Sequence, residues 1–107
     1  MTVDLPQRKE LLPYRRGVGA VLFNKDGLVF AGRRIGIHSD AWQMPQGGID
    51  EGEMPEQAVM RELEEETGTN NAKVVAESHD WFFYDLPDNL INITWGGRFR
   101  GQTQKWF

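Results

Sequence analysis

Arg61 and the three glutamates at 62, 65 and 66 are the residues of this sequence best suited to do chemistry. Positions i, i+3 and i+4 are neighbours on a helix, so a helix through this stretch gathers Glu62, Glu65 and Glu66 side by side. Unpaired, such carboxylates repel one another and weaken the helix that carries them. A hard divalent cation resolves the repulsion. Mg²⁺ takes oxygen ligands, keeps several waters, and is commonly held by a few carboxylates together with substrate phosphates. The alternative is a solvated acidic helix face. Charge is unevenly spread: residues 50–66 hold eight acids and one base, Arg61, a local net of −7. The rest of the chain is mildly basic, at +3, which makes the acidic block a candidate place for collecting cations.

The elements that must position these groups can be read from the pattern around them. A helix is expected from about Met54. Pro55 suits a first turn, Glu56–Glu66 is built mostly of good helix formers, and Gly68 is a natural stop. On the wheel Val59, Met60, Leu63 and Thr67 share one arc, which should face the core, while Ala58, Glu62 and Glu65 share another side. Upstream, the apolar run Val18–Phe23 reads as a first strand and Leu28–Arg34 as a second. The Asn24-Lys25-Asp26-Gly27 turn between them would make a hairpin. The glycine-containing stretch Ile35–Gly52 is a long connection of the kind that is usually functional. Further strands are expected at Lys73–Ser78, Trp81–Leu86 and Gln104–Phe107, with a turn at Pro87-Asp88-Asn89. Residues 1–13 read as a loose lead-in.

The spacing then becomes specific. Gly47 is followed after five residues by Glu53. Seven residues later comes Arg61-Glu62-Leu63, one residue on comes Glu65-Glu66, and one further on comes Gly68. This string, residues 47–69, resembles the Nudix box, G-x5-E-x7-R-E-U-x-E-E-x-G-U with U a bulky apolar residue. The one departure is Thr69 at the last apolar position, where only packing is at stake. The resemblance implies an α/β fold, the Nudix α/β/α sandwich around a mixed sheet, as a single domain over 1–107. It implies an enzyme that hydrolyses a nucleoside diphosphate linkage by water attack on phosphorus, with Mg²⁺ or Mn²⁺ in the box. Carried over, Glu62, Glu65 and Glu66 are metal ligands, Glu65 or Glu66 also orients or deprotonates the water, and Gly47 lends a backbone carbonyl. Arg61 and Glu53 become an internal ion pair holding the loop against the helix.

The flanks resemble one branch of that family. Asp40–Glu53, Tyr14–Gly19, the W-x-x-Y-D-x-P-like Trp81–Pro87 and the G-Q-x-Q-K-W-F string Gly101–Phe107 are similar to plant- and bacterial-type diadenosine tetraphosphate hydrolases and bacterial RNA 5′-pyrophosphohydrolases. The implied substrate is a dinucleoside polyphosphate or an RNA 5′ end. Alternatives are a nucleotide-pool housecleaning pyrophosphatase, or a metal- and nucleotide-binding fragment without activity. Arg15 is a candidate phosphate contact, because a guanidinium fork matches phosphate oxygens, or else an ordinary surface arginine. Arg33 and Arg34 point opposite ways on a strand, so one should reach phosphates and the other solvent. Gln46 either touches substrate or shapes the loop. Tyr84 either stacks on a base or packs in the core. Trp42 and Trp106 read as packing, Lys105 as a phosphate neighbour, and His38 and His79 as structural or exposed.

Composition excludes other classes. At 107 residues, 39% hydrophobic and 11% aromatic, the chain is a small globular domain. It has no cysteine, so neither disulfides nor thiolate zinc sites are available. No apolar run is long enough to span a bilayer, and the first ten residues lack a signal-peptide core, so a cytoplasmic protein without a membrane partner is expected. A pI of about 5.1 and the lack of a broad basic face argue against a double-stranded DNA binder. The chain ends inside an expected strand, so the C-terminal part of the sandwich is expected to be missing. The open sheet edge would then invite self-association.

Overall fold

The structure, a computed structural model, describes residues 9–33 and 41–107. Four strands form one mixed sheet: β1 (Tyr14–Gly19), β2 (Gln46–Gly48), β3 (Phe82–Asp85) and β4 (Gly101–Trp106), in the order β2-β1-β4-β3. β1 and β4 run parallel, and the two outer pairings are antiparallel. One α-helix, α1 (Pro55–Thr67), is present among the described residues. The class is α/β, as the sequence implied.

Helix α1 begins and ends on the signals its sequence carries. The Met54 N–H donates to the Gln57 side chain at 2.9 Å, and Gly68 closes the helix in a left-handed conformation, its N–H on the Glu64 carbonyl at 2.8 Å. Ala58, Val59 and Leu63 are buried. Ala58 and Val59 pack on Val18 and Ala20, with Ile49, Met60, Val74 and Phe107 around them. Ala58 and Val18 are both 0% exposed, which fixes the helix over β1.

Register sorts the sheet into two faces. Val18 lies opposite Gly47 on β2 and Lys105 on β4, so these three share the face that α1 covers. Arg15, Gly17 and Gly19 lie opposite Gln102, Gln104 and Trp106, and Gly17 and Gly19 lie opposite Gly48 and Gln46. That second set occupies the other face. On β1, β2 and β4 this second face carries glycine, glutamine and arginine, with Trp106 its one large apolar ring. Exposed apolar side chains collect on the β3 edge, where Phe82 and Tyr84 lie opposite Gln104 and Gln102 and so share this second face while Phe83 takes the other, and around the turn at Phe23, Leu28, Val29 and Phe30.

Several expected strands are corrected. The run Val18–Phe23 is not one strand. The strand starts earlier, at Tyr14, and stops at Gly19. Its polar first half is held by the parallel pairing with β4, which no local hydropathy pattern reveals. Beyond it the chain turns at Asn24–Gly27 as expected, but only single bridges form, Phe23 with Val29 and Gly32 with Gln43, so no strand spans the described part of Leu28–Arg34. Lys73–Ser78 is likewise not a strand; it joins the sheet through Ser78, whose N–H donates to the Trp106 carbonyl at 2.7 Å. Trp81–Leu86 contains β3, and Gln104–Phe107 is the second half of a strand that begins at Gly101.

Candidate active site

Two charged arrangements face each other across β2, with only Gly47 and Gly48 between them. On the α1 side Arg61 is the hub. Its Nε and Nη2 donate to the two oxygens of Glu53 at 2.8 and 2.9 Å, a bidentate pair. Nη2 also donates to the Gly48 carbonyl at 2.8 Å. Nη1 donates to Glu62 Oε1 at 2.8 Å and reaches the Glu65 carboxylate at 3.3 and 3.4 Å. One guanidinium therefore ties the loop at Gly48 and Glu53 to two glutamates of the helix. Glu53 also accepts the Asp50 N–H at 3.0 Å. The Arg61 hydrogen bond, and then the Asp50 N–H, hold the Glu53 carboxyl down at about 2. The same partnership, with Glu53 first, raises the Arg61 guanidinium above its ordinary value.

Gly47 is needed for close approach. A Cβ there would collide with the carboxylate of Glu62, which lies directly against the strand. The side chain of Glu62 is only 15% exposed, against 57% for Glu65. Glu66 follows on the same helix and is exposed. Glu62, Glu65 and the Gly47 carbonyl are all hard oxygen donors, and the cradle over Gly47 brings a carboxylate to the backbone, so the donor chemistry fits a divalent cation. The three glutamates do not converge as the wheel suggested. Among the described residues no group of three His, Cys, Asp or Glu is arranged to hold a metal ion. The physical reason is the guanidinium, which draws Glu62 and Glu65 to itself.

On the opposite face Gly48 plays the same part for a cation: a Cβ there would meet the Arg15 guanidinium, with its Cζ at 2.5 Å. Arg15 Nη1 donates to Gln102 Oε1 at 2.8 Å, Gln102 Nε2 to Gln104 Oε1 at 2.6 Å, and Gln104 Nε2 to Gln46 Oε1 at 3.2 Å. The Arg15 guanidinium lies 5.1 Å from the centre of the Trp95 ring. Trp95 adopts φ 51°, a left-handed conformation that a bulky residue rarely takes and that costs of order 1 kcal/mol or more. Beside the chain of amides, Trp106 Nε1 donates to the Tyr84 hydroxyl at 3.3 Å.

The remaining candidates scatter. Arg33 lies 5.6 Å from the centre of the Trp42 ring, and Trp42 is 65% exposed rather than packed. Arg34 and His38 lie outside the described residues. Tyr84 is exposed on edge strand β3, so it is not a core aromatic. Trp106 packs its ring over Gly19, as a packing role requires. Lys105 pairs with Glu77 at 3.3 Å on the α1 face, away from Arg15 and Gln46. His79 is exposed. Sequence reasoning missed Gln102 and Gln104. The signal was there, since two glutamines two apart in a strand share a face, but nothing local says that Arg15 shares it too.

An α/β domain with a mixed sheet and a helix whose glutamates are clamped to a glycine-bearing strand by one arginine is the class defined so far. A family model, the NUDIX domain, matches residues 13–103. The chain is 59% identical over 96 residues to a protein named RNA pyrophosphohydrolase from Gluconobacter oxydans (strain 621H), covering 90% of this chain and 56% of that protein. It is 59% identical over 98 residues to one of the same name from Cereibacter sphaeroides (strain ATCC 17029 / ATH 2.4.9), covering 90% and 60%. A third, from Rhodospirillum rubrum, is 55% identical over 107 residues, covering 100% and 64%. This chain belongs to the Nudix family. It spans 56% to 64% of the length of these three relatives.

Proposed function

We propose that this protein is a Nudix pyrophosphohydrolase acting on RNA 5′-triphosphate ends, cleaving a phosphoanhydride by water attack on phosphorus and releasing pyrophosphate. The observation that carries the reading is the pair of arrangements across Gly47 and Gly48: carboxylates gathered on one side, guanidinium and amide donors on the other. The name shared by the relatives supports the RNA substrate. Dinucleoside polyphosphates such as diadenosine tetraphosphate contain the same anhydride and are the second substrate class.

Mg²⁺ or Mn²⁺, when bound, neutralises phosphate charge and lowers the pKa of water, and the residues to hold it are Glu62, Glu65, Glu66 and the Gly47 carbonyl. The rest is done by the chain itself. Arg61, locked to Glu53, holds the loop so that Gly47 faces Glu62. Glu65 or Glu66, the more exposed carboxylates, orients the attacking water and takes its proton. Arg15 and Gln46 donate hydrogen bonds to phosphate oxygens, where a fixed fork is worth more than a flexible amine. Arg33, Arg34 and Tyr84 are the further groups proposed to reach the substrate. An RNA 5′ end as substrate implies action in the cytoplasm, and the exposed aromatics of β3 are the surface proposed for self-association. No helix among the described residues is long and apolar enough to cross a membrane.

A second reading, a metal- and nucleotide-binding protein without turnover, is favoured by one observation: Arg61 occupies both Glu62 and Glu65. Pyrophosphate release from triphosphorylated RNA, run beside hydrolysis of diadenosine tetraphosphate with Mg²⁺ or Mn²⁺, separates the readings. Turnover of RNA, lost in Glu65→Gln or Glu66→Gln, is the expected result. Tight nucleotide binding with no turnover on either substrate would establish the second reading instead.

A further inference from the structure

Gln104 is the only buried polar or charged side chain among the described residues, at 3% exposure. It touches neither the carboxylates nor solvent, and the proposed chemistry leaves it without a task. Its two hydrogen bonds nevertheless have a direction that can be derived. A guanidinium has donors and no acceptor, so Arg15 forces Gln102 to turn its Oε1 toward it. That leaves the Gln102 amide nitrogen for Gln104, whose Oε1 must accept. Gln104 then has only its nitrogen to offer Gln46, whose Oε1 must accept in turn. Each amide is fixed by the one before. The sequence of donations starts at a cation and ends at the exposed Gln46, whose NH₂ group is left with its donors facing outward.

From this polarity we propose that Gln104 is a positioning residue: through a one-way relay from Arg15 it holds Gln46 as a hydrogen-bond donor and so specifies a phosphate oxygen, not a donor group, as that residue's ligand. The ends of the relay meet at β2, Gln46 two residues before the Gly48 against which Arg15 lies, so cation and amide donor are presented together on one face. Amide chains polarise one another in the low dielectric of a partly buried strand, which strengthens the outermost donor. This reading deepens the proposed function and rests on its assignment of phosphate to this face.

The test uses inorganic triphosphate as probe, with binding followed through the Gln46 side-chain NH₂ resonances and by calorimetry. Gln104→Met keeps the volume and removes both hydrogen bonds. Gln104→Glu keeps the shape but cannot donate, so Gln46 must turn its oxygen outward. Triphosphate affinity is expected to fall about tenfold in Gln104→Met and further in Gln104→Glu. In a Gln46→Ala background Gln104→Met should no longer matter, because the residue through which Gln104 acts is gone, while Gln104→Glu keeps only the effect of its added charge. A merely structural glutamine would lower the melting temperature in either background and give additive losses. Equal affinity in wild type and Gln104→Glu with the fold intact, additive losses of Gln104→Met with Gln46→Ala, or no binding of triphosphate by the wild type overturns the proposal. Should triphosphate binding follow the expected pattern while RNA is not turned over, the proposed function fails and the relay stands.

Discussion

The two faces of β2 are held together over very different distances along the chain. On the α1 face every hydrogen-bonding partner of Arg61 lies within 13 residues: Gly48 13 away, Glu53 eight, Glu65 four and Glu62 one. On the other face Arg15 meets Gln102 across 87 residues, and Gln104 meets Gln46 across 58. The first arrangement needs only a helix and the loop before it, so little loop-closure entropy opposes it. The second exists only once β1, β2 and β4 are side by side. A site built this way has one wall specified locally and one wall specified by the sheet, and the two should fail differently.

The largest effect is expected at the hub of the local wall. Arg61→Ala leaves the half-buried carboxylates of Glu53 and Glu62 without their cation. It should lower kcat/KM by about 100-fold and the melting temperature by several degrees. Arg61→Lys keeps the charge but loses the bidentate fork, and should fall between that variant and wild type. Steady-state kinetics and thermal unfolding on the same preparations check both. Full activity in Arg61→Ala would mean that the local wall is not part of the catalytic site.

A sharper comparison uses the two glycines themselves. In each case an added Cβ meets mainly the far end of a charged side chain, so the side chain moves and the strand remains. Gly47→Ala should push Glu62 aside and lower kcat, while Gly48→Ala should push Arg15 aside and raise KM, each by about tenfold. If both variants changed the same kinetic constant, the two faces would not have separate tasks.

The smallest effect concerns acid. The Glu53 carboxyl sits at about 2 in the folded chain against an ordinary value of 4.5, with the Arg61 hydrogen bond the main cause. A depressed pKa contributes stability that is fully present above the unfolded value. It is lost as pH falls from about 4.5 toward 2. The Arg61–Glu53 pair should therefore be indifferent to pH from 5 to 8 and loosen only below. Melting temperatures of wild type and Glu53→Gln, compared from neutral pH down to about pH 2, should converge at the acid end. A constant gap down to pH 2 would remove Glu53 titration as the cause.

Much of the local wall was legible beforehand. Pro55, Gly68 and the Val59–Leu63 spacing announced α1, and the Gly47–Gly68 spacing announced the loop and helix as a unit. The convergence of Glu62, Glu65 and Glu66 was overstated, because a helical wheel places backbone positions and cannot know that Arg61 will take two of the three carboxylates. The strands were read less well. Tyr14-Arg15-Arg16 is too polar to look like a central strand, yet it pairs along its whole length with β4. Trp42 looked like packing because tryptophan is large and apolar, but here it stands in solvent under Arg33.

The sequence by itself determined what depends on neighbours a few residues away: the helix, its caps and the acidic block, together with the Arg61–Glu53 pair that the resemblance implied and that about two helical turns and a short loop bring together. The tertiary structure decided which face of each strand looks where, and hence that Arg15 begins a chain of amides ending at Gln46. Hydrogen bonds of this kind carry no local signature. Gln102 and Gln104 have the same chemistry on any surface, and only the parallel register of β1 on β4 gives their donors and acceptors a direction.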